Sequence, residues 1–108
     1  MKEIIGGKIV VNSLVEEGVN TAFGLIGSAG MEIFDGLYDA KSIHFIGVRD
    51  ERTGTHMADG YARASGKVGV FIAGQNGPGV TNLVTGLAQA KAAFSPAVSY
   101  THLTLPTN

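Results

Sequence analysis

The fold of this chain is decided by Gly47-Val48-Arg49-Asp50-Glu51, together with Gly74-Gln75-Asn76-Gly77-Pro78-Gly79. The first stretch closes an apolar strand predicted over residues 43–48, and the second follows a Val- and Phe-rich strand predicted over 67–73. A helix is predicted between them over residues 51–64. Because the carboxyl ends of parallel strands meet at one edge of a sheet, we expect Glu51 and the glycine-rich turn to face the same crevice.

The remaining residues continue the alternation of helices and strands. Apolar spacing predicts helices over 7–18, 31–38 and 78–92, and apolar runs predict strands over 21–26 and from 96 to 100. This order indicates an α/β fold with a doubly wound, mostly parallel sheet and helices on both faces. The strand over 67–73 is expected to be buried on both faces. Ser28 is expected to cap the second helix, and Asp59 and Arg63 are spaced to pair on the third.

Composition disfavours several classes of function. The chain has 108 residues, a net charge of −1 and 16% charged residues, which argues against a nucleic-acid partner. It has no cysteine, and its histidines lack ligand spacing, so we predict no metal site in this chain. We find no signal peptide and no apolar run of roughly 20 residues, so we expect no membrane association and a cytoplasmic location. A chain of this length forms at most one domain.

The turn Gly77-Pro78-Gly79 is a candidate site element, with Asn76 before it and Asn82 after it. Its glycines would let the backbone approach a ligand closely, and Asn82 would fix the start of the helix. The turn lacks the Lys-Ser/Thr pair of a phosphate-binding P-loop. It also lacks a dinucleotide fingerprint, because Asn82 replaces the third glycine and no acid lies about 20 residues on. From the residues alone, an ordinary strand-to-helix turn remains an alternative.

Residues 6–99 resemble the N-terminal, pyrimidine-binding domain of thiamine-diphosphate-dependent enzymes, the acetolactate synthase and pyruvate decarboxylase superfamily. The matching blocks occur in the family's order at close to its spacing: Ala22-Phe23-Gly24, Glu51, Met57 to Arg63 with Gly66-Lys67, and Gly77-Pro78-Gly79 with Thr81-Asn82 and Leu83 to Leu87. The resemblance implies a flavodoxin-like domain over residues 1–99, which we expect to be incomplete.

For Glu51, the resemblance implies a catalytic role. This Glu is expected to hydrogen-bond N1′ of the cofactor's aminopyrimidine, which favours the imino tautomer that removes the proton from C2 of the thiazolium. The chemistry needs a carboxyl group in a dry pocket, where it can share a proton with N1′. From position alone, the favoured interpretation by a wide margin is an ordinary acid in the first turn of a helix, stabilised by the helix dipole.

The resemblance also implies the remaining cofactor contacts, namely Ile26, Gly27, Ser28, Asn76, Gly77, Pro78, Gly79 and Asn82. The implied function is that of a carboligase or decarboxylase acting on 2-oxo acids, most like acetolactate synthase. Leu25-Ile26-Gly27-Ser28-Ala29 and Gln75-Asn76 look more like sulfoacetaldehyde acetyltransferase, which is one alternative. The other is a non-catalytic, flavodoxin-like nucleotide-binding module, which would not need Glu51 and whose glycine turn would hold a phosphate.

Thiamine diphosphate is the implied cofactor, with Mg²⁺ and the diphosphate held by a C-terminal domain absent from this chain. The resemblance leaves FAD open, and no residue indicates it. Active sites between subunits are implied, hence a homodimer or homotetramer, and the 108-residue chain alone is expected to be inactive. Residues 100–108 depart from the family pattern, so we expect a non-native tail there and a truncated domain with an unpaired sheet edge.

Overall fold

The computed structural model describes residues 5–101 of the chain. Its elements, in chain order, are α1 (Gly6–Glu16), β1 (Thr21–Gly24), a 3₁₀ turn (Ser28–Gly30), α2 (Met31–Asp39), β2 (His44–Gly47), α3 (Glu51–Ser65), β3 (Gly69–Ala73), α4 (Pro78–Thr81), α5 (Val84–Ala92) and β4 (Ala97–Thr101). Helices and strands therefore alternate as the sequence predicts.

The four strands form one parallel sheet in the order β2-β1-β3-β4. Phe23 in β1 pairs with Ile46 in β2 on one side and with Phe71 in β3 on the other. The chain winds outward from β1 to β2 and then crosses to β3, so the strand order reverses between β1 and β3. This reversal is the switch point at which open α/β sheets bind ligands, outside the carboxyl ends of the strands.

Two apolar clusters lie on opposite faces of the sheet, because successive side chains of a strand point to opposite sides. In β3, Val70 and Ile72 belong to the cluster formed with α1 and α2. Phe71 and Ala73 belong to the cluster on the face where α3 and α5 pack together. All five residues of β3 are buried. The prediction of a doubly wound sheet with helices on both faces is confirmed.

Helix α3 carries local signals at both ends. The Asp50 side chain accepts a hydrogen bond from the backbone N–H of Arg52 at 2.8 Å, which caps the start of the helix. Gly66 ends it with φ of 70°, in the left-handed region. The predicted pairing on this helix is confirmed: the Arg63 guanidinium donates to both carboxylate oxygens of Asp59, at 2.9 and 2.8 Å.

Two local predictions are wrong. The single helix predicted over residues 78–92 is two helices, α4 and α5, separated at Asn82 and Leu83. The segment from Val80 to Thr85 is rich in β-branched residues and Asn, which have low helix propensity, so the hydrogen-bonded ladder breaks there. Ser28 does not cap α2, whose N-cap is Gly30 without a side-chain bond. The Ser28 hydroxyl instead donates to Oε1 of Gln75 at 2.8 Å.

Strand β4 extends into the segment predicted to be a tail. Tyr100 and Thr101 pair with Ile72 and Ala73 of β3. Residues 102–108, which make up the rest of that segment, lie outside the described residues. The non-native origin of that segment therefore stays a proposal.

Candidate functional site

The loops after β1 and β3 meet at the switch point of the sheet. The backbone N–H of Ala29 donates to the carbonyl of Gly74 at 3.2 Å. A Cβ atom on Gly27 would overlap that same carbonyl, and one on Gly74 would overlap the carbonyl of Leu25. These positions therefore require glycine for steric reasons, and the Ser28–Gln75 hydrogen bond joins the two loops further out.

A buried carboxylate lies beside these loops. Glu51 begins α3, which the loop over residues 48–50 joins to β2, and only 5% of its surface is exposed. Its position in the first helical turn is favourable for a negative charge. The Asn82 side-chain amide donates from Nδ2 to Oε2 of Glu51 at 3.2 Å, although 31 residues separate the two in the chain. The structure thus brings together the candidate catalytic acid and a residue of the glycine-turn motif.

The glycine turn lies against the other oxygen of this carboxylate. A Cβ atom built on Gly79 would be 3.5 Å from Oε1 of Glu51. Gly77 has φ of 72° and ψ of −96°, a conformation that side-chain-bearing residues rarely adopt. Pro78 follows in the first turn of α4. The turn can adopt this backbone conformation because Gly77 has no side chain. Gly79 also has no side chain, so the space beside Oε1 of Glu51 is not filled by that residue.

The structure unites some of the predicted site residues and not others. Glu51, Gly79 and Asn82 are in one cluster, while Gly27 and Ser28 contact the neighbouring turn after β3. Ile26 and Asn76 are exposed on the two loops at the same edge of the sheet.

Asn82 differs from its predicted local role. It does not fix the start of a helix, because it ends α4 and its side chain is turned to Glu51. Gly74 and Gln75 were not predicted as site residues, yet both join the loops of the site. A glycine placed directly after a buried strand was the available signal for the close backbone approach at Gly74.

Within the described residues, Asp59 is as buried as Glu51, but its carboxylate is paired with Arg63. A cavity of about 430 Å³ lies between α1, the 3₁₀ turn and β4, and is lined by Gly7, Gly30 and Tyr100 among others, away from Glu51. Within residues 5–101, no group of three or more His, Asp or Glu side chains could hold a metal ion. No helix in this range has the length and apolar character needed to cross a bilayer.

Comparison with known families identifies the family of this chain. The family described as thiamine pyrophosphate enzyme, N-terminal TPP binding domain, matches residues 4–101. The chain therefore belongs to this family, and the resemblance inferred from the sequence blocks is confirmed.

The chain is similar to several acetolactate synthases. That of Mycobacterium avium is 44% identical over 100 residues, covering 93% of this chain and 16% of that protein. A probable acetolactate synthase large subunit of Methanocaldococcus jannaschii is 44% identical over 96 residues, covering 89% and 16%. The acetolactate synthase isozyme 3 large subunit of Escherichia coli is 43% identical over 98 residues, covering 91% and 17%. This chain spans about one-sixth of the length of these relatives.

Proposed function

We propose that this chain is the pyrimidine-binding part of a thiamine-diphosphate-dependent carboligase or decarboxylase that acts on 2-oxo acids, like the acetolactate synthases it resembles. One observation carries the proposal: Glu51 is a buried carboxylate with Oε2 held by Asn82 and Oε1 beside the side-chain-free Gly79. The names of its relatives, with identities of 43% and 44%, support the reaction class.

The residues present fit an aminopyrimidine ring. A flat heteroaromatic ring needs a hydrogen-bonding partner for its nitrogen and space for its faces. Among residues 5–101, the side-chain hydrogen bond to the Glu51 carboxylate is the one from Asn82 to Oε2, which leaves Oε1 for a ligand. Glycines at 77 and 79 bring backbone rather than side chain to its neighbourhood. A carboxylate in such a place is a functional-site candidate on physical grounds, because burying it without a ligand is costly.

Each residue then has a distinct task. When bound, thiamine diphosphate supplies a nucleophilic C2 carbon and an electron sink. Glu51 holds N1′ of the aminopyrimidine and shares a proton with it through Oε1, and the burial of this carboxyl group excludes competing water. Gly77, Pro78 and Gly79 let the backbone approach the ring. Further contacts to the cofactor are assigned to Ile26, Gly27, Ser28, Asn76 and Asn82.

The diphosphate and Mg²⁺ are assigned to other parts of a longer protein. This chain spans about one-sixth of its relatives, which leaves most of their length to supply those contacts. We place the complete site between subunits of a homodimer or homotetramer. The proposed substrate is a 2-oxo acid. No residue of this chain indicates that FAD is bound.

The test of this function is Glu51→Gln in the full-length protein. The amide cannot take up and return a proton at N1′, so exchange of the C2 hydrogen of bound cofactor should slow by at least about a hundredfold. Proton NMR of the cofactor after timed acid quenching in D₂O measures that exchange. The matched control is Glu32→Gln, an exposed residue on α2. Wild-type exchange in the Glu51 variant would refute the assignment.

A second candidate reaction rests on the loops that carry Ser28 and Gln75. The Ser28–Gln75 hydrogen bond joins the two segments whose sequence looks like sulfoacetaldehyde acetyltransferase. Turnover of pyruvate compared with turnover of sulfoacetaldehyde by the full-length protein distinguishes the two reactions. Turnover of sulfoacetaldehyde alone would replace the acetolactate synthase assignment and keep Glu51 in its role.

A further inference from the structure

We propose that Asn82 is a positioning residue that acts through Glu51: its amide holds Oε2 and thereby commits Oε1 to the cofactor. The inference deepens the proposed function and rests on it. Asn82 then affects the cofactor through Glu51 and not by direct contact. The two oxygens of the Glu51 carboxylate have different partners, Asn82 for Oε2 and the cofactor for Oε1.

In the hydrogen bond between Asn82 and Glu51, only Asn82 can be the donor. A carboxylate oxygen only accepts, so the Asn82 group facing it at 3.2 Å must be the NH₂ donor. A hydrogen bond to a charged group is stronger than one between neutral groups. Asn82 therefore restrains the carboxylate at Oε2. The other oxygen, Oε1, faces Gly79, where an added Cβ atom would be 3.5 Å from it.

The backbone around Asn82 is held in place from both sides. On one side is the turn at Gly77, with its positive φ, and on the other is Leu83, which is buried with Phe71 and Val48. The break between α4 and α5 falls at this point. The interruption of the helix thus brings the exposed Asn82 side chain within hydrogen-bond distance of Glu51, next to the buried Leu83.

The Glu51 side of the pair is also fixed. The Thr55 hydroxyl donates to the backbone carbonyls of Glu51 and Arg52, at 3.1 and 3.0 Å. A Cβ atom on Gly86 would overlap that hydroxyl, so α5 packs directly on this turn of α3. Helix α5, which begins two residues after Asn82, therefore packs on the amino-terminal part of α3, and this contact helps to set the geometry of the pair.

The ionisable groups nearest to Glu51 in the chain are Arg49, Asp50 and Arg52, and His56 follows on α3. The N-cap residue Asp50 and Arg52 flank Glu51 and interact with each other, with Arg52 Nε and Asp50 Oδ1 3.8 Å apart. Strands β1 and β3 and helix α4 carry no ionisable side chain, α5 carries Lys91 in its last turn, and β4 carries Tyr100. A second carboxylate introduced at position 82 would therefore be the dominant new charge near Glu51.

The experiment uses the full-length protein with bound thiamine diphosphate and Mg²⁺, and follows C2 hydrogen exchange as a function of pH. Asn82→Leu removes the donor at similar volume, so exchange should slow by roughly ten- to a hundredfold, the range for a lost hydrogen bond to a charged group. Asn82→Asp keeps the shape and adds a carboxylate. Two adjoining carboxylates favour retention of a proton, so the pH profile of exchange should move to higher pH by about one unit or more.

Controls separate positioning from structure. Asn12→Leu and Asn12→Asp make the same changes at an exposed position of α1 and should leave both readouts at wild-type values. In a Glu51→Gln background, Asn82→Leu should cause little further slowing, because its partner is already changed. Additive slowing in that background, or an unmoved pH profile for Asn82→Asp, would overturn the inference. If Glu51→Gln alone left exchange unchanged, the proposed function itself would fail instead.

Discussion

Gly79 is the glycine that lies beside the Glu51 carboxylate. A Cβ atom there would make ordinary contacts with Ala73 and Gln75, each at 3.8 Å, and would lie 3.5 Å from Oε1 of Glu51. The backbone of Gly79 has no positive φ. The position therefore tolerates alanine for folding, and its glycine is explained by the space it leaves beside the carboxylate.

The first prediction is that Gly79→Ala in the full-length protein keeps the fold and weakens cofactor binding. Crowding beside Oε1 should raise the dissociation constant of thiamine diphosphate by roughly tenfold, which corresponds to about 1.4 kcal/mol. Isothermal titration with Mg²⁺ present measures this dissociation constant.

Gly60→Ala is the matched control, because Gly60 is exposed in the middle of α3 with open space around it. That change should stabilise the helix by about 1 kcal/mol and leave the affinity unchanged. Equal affinities for both variants would contradict the role given to Gly79.

The residues of the site differ in how far sequence could identify them. Glu51 and Gly77 could be predicted because both stand in the sequence blocks that carry the family resemblance, whereas the place of Glu51 at a helix start indicates by itself only a first-turn acid. The partner of Asn82 could not, because it lies 31 residues away and the contact depends on where a helix breaks. The Ser28–Gln75 contact spans 47 residues and was missed for the same reason.

At the scale of the elements, α3 is the helix whose ends the sequence predicts best. Asp50 and Gly66 are cap residues that act within one turn, so they fix the bounds of the helix locally. The segment over 78–92 was harder to predict because its apolar spacing suits a helix while its β-branched residues do not. In the structure, the propensity of those residues decides the outcome, and two shorter helices form.

The second prediction concerns the Asp59–Arg63 pair on α3. The hydrogen bonds from the Arg63 guanidinium lower the pKa of Asp59 below its ordinary value of 3.8, and those to Asp59 raise the pKa of Arg63. A carboxylate with a lowered pKa in the folded state stabilises the fold above its unfolded pKa, and loses that contribution as the pH falls through the folded pKa. The pair should therefore contribute fully at neutral pH and progressively less below about pH 4.

Hydrogen–deuterium exchange of the α3 backbone amides in the full-length protein tests this, with wild type and Asp59→Asn compared at each pH. The variant should be less protected at pH 7, and the difference should shrink as the pH approaches 3. Asp35→Asn, at an exposed position on α2, serves as the control and should show no such trend in α3. A difference that stayed constant with pH would mean that Asp59 acts by packing rather than by its charge.

At the scale of the whole molecule, the alternation of elements was sufficient to predict a doubly wound sheet, because parallel strands need crossover helices on the faces. The pattern could not predict which loops touch or where a cavity forms, since those depend on side-chain packing between distant segments. The structure also exposes apolar surface around the edge strand β4. Phe94 is 96% exposed with φ of 54°, and Val98 is 53% exposed. Such surface favours association with other protein.

The last prediction is that the 108-residue chain by itself binds thiamine diphosphate weakly and turns over no substrate. Charge-assisted contacts to the diphosphate and Mg²⁺ should dominate the affinity, and we assign them to other parts of the full-length protein. Helix α4, which follows the glycine turn, has only four residues, so its amino terminus offers little dipole to a phosphate. Isothermal titration of the 108-residue chain with thiamine diphosphate and Mg²⁺ should therefore give a dissociation constant well above the micromolar range.

The same titration on the full-length protein is the control and should show tight binding, while ADP titrated into the 108-residue chain probes the rival nucleotide-binding module. A low micromolar or tighter constant for thiamine diphosphate with the 108-residue chain would mean that the phosphate site is misplaced. Tight binding of ADP would point to Gly77-Pro78-Gly79 as a phosphate-binding turn. In either case Gly77→Ala should abolish the binding, because alanine disfavours the φ of 72° on which the turn depends. Weak binding of both ligands agrees with a chain that contributes Glu51 and the ring-binding half of a larger site.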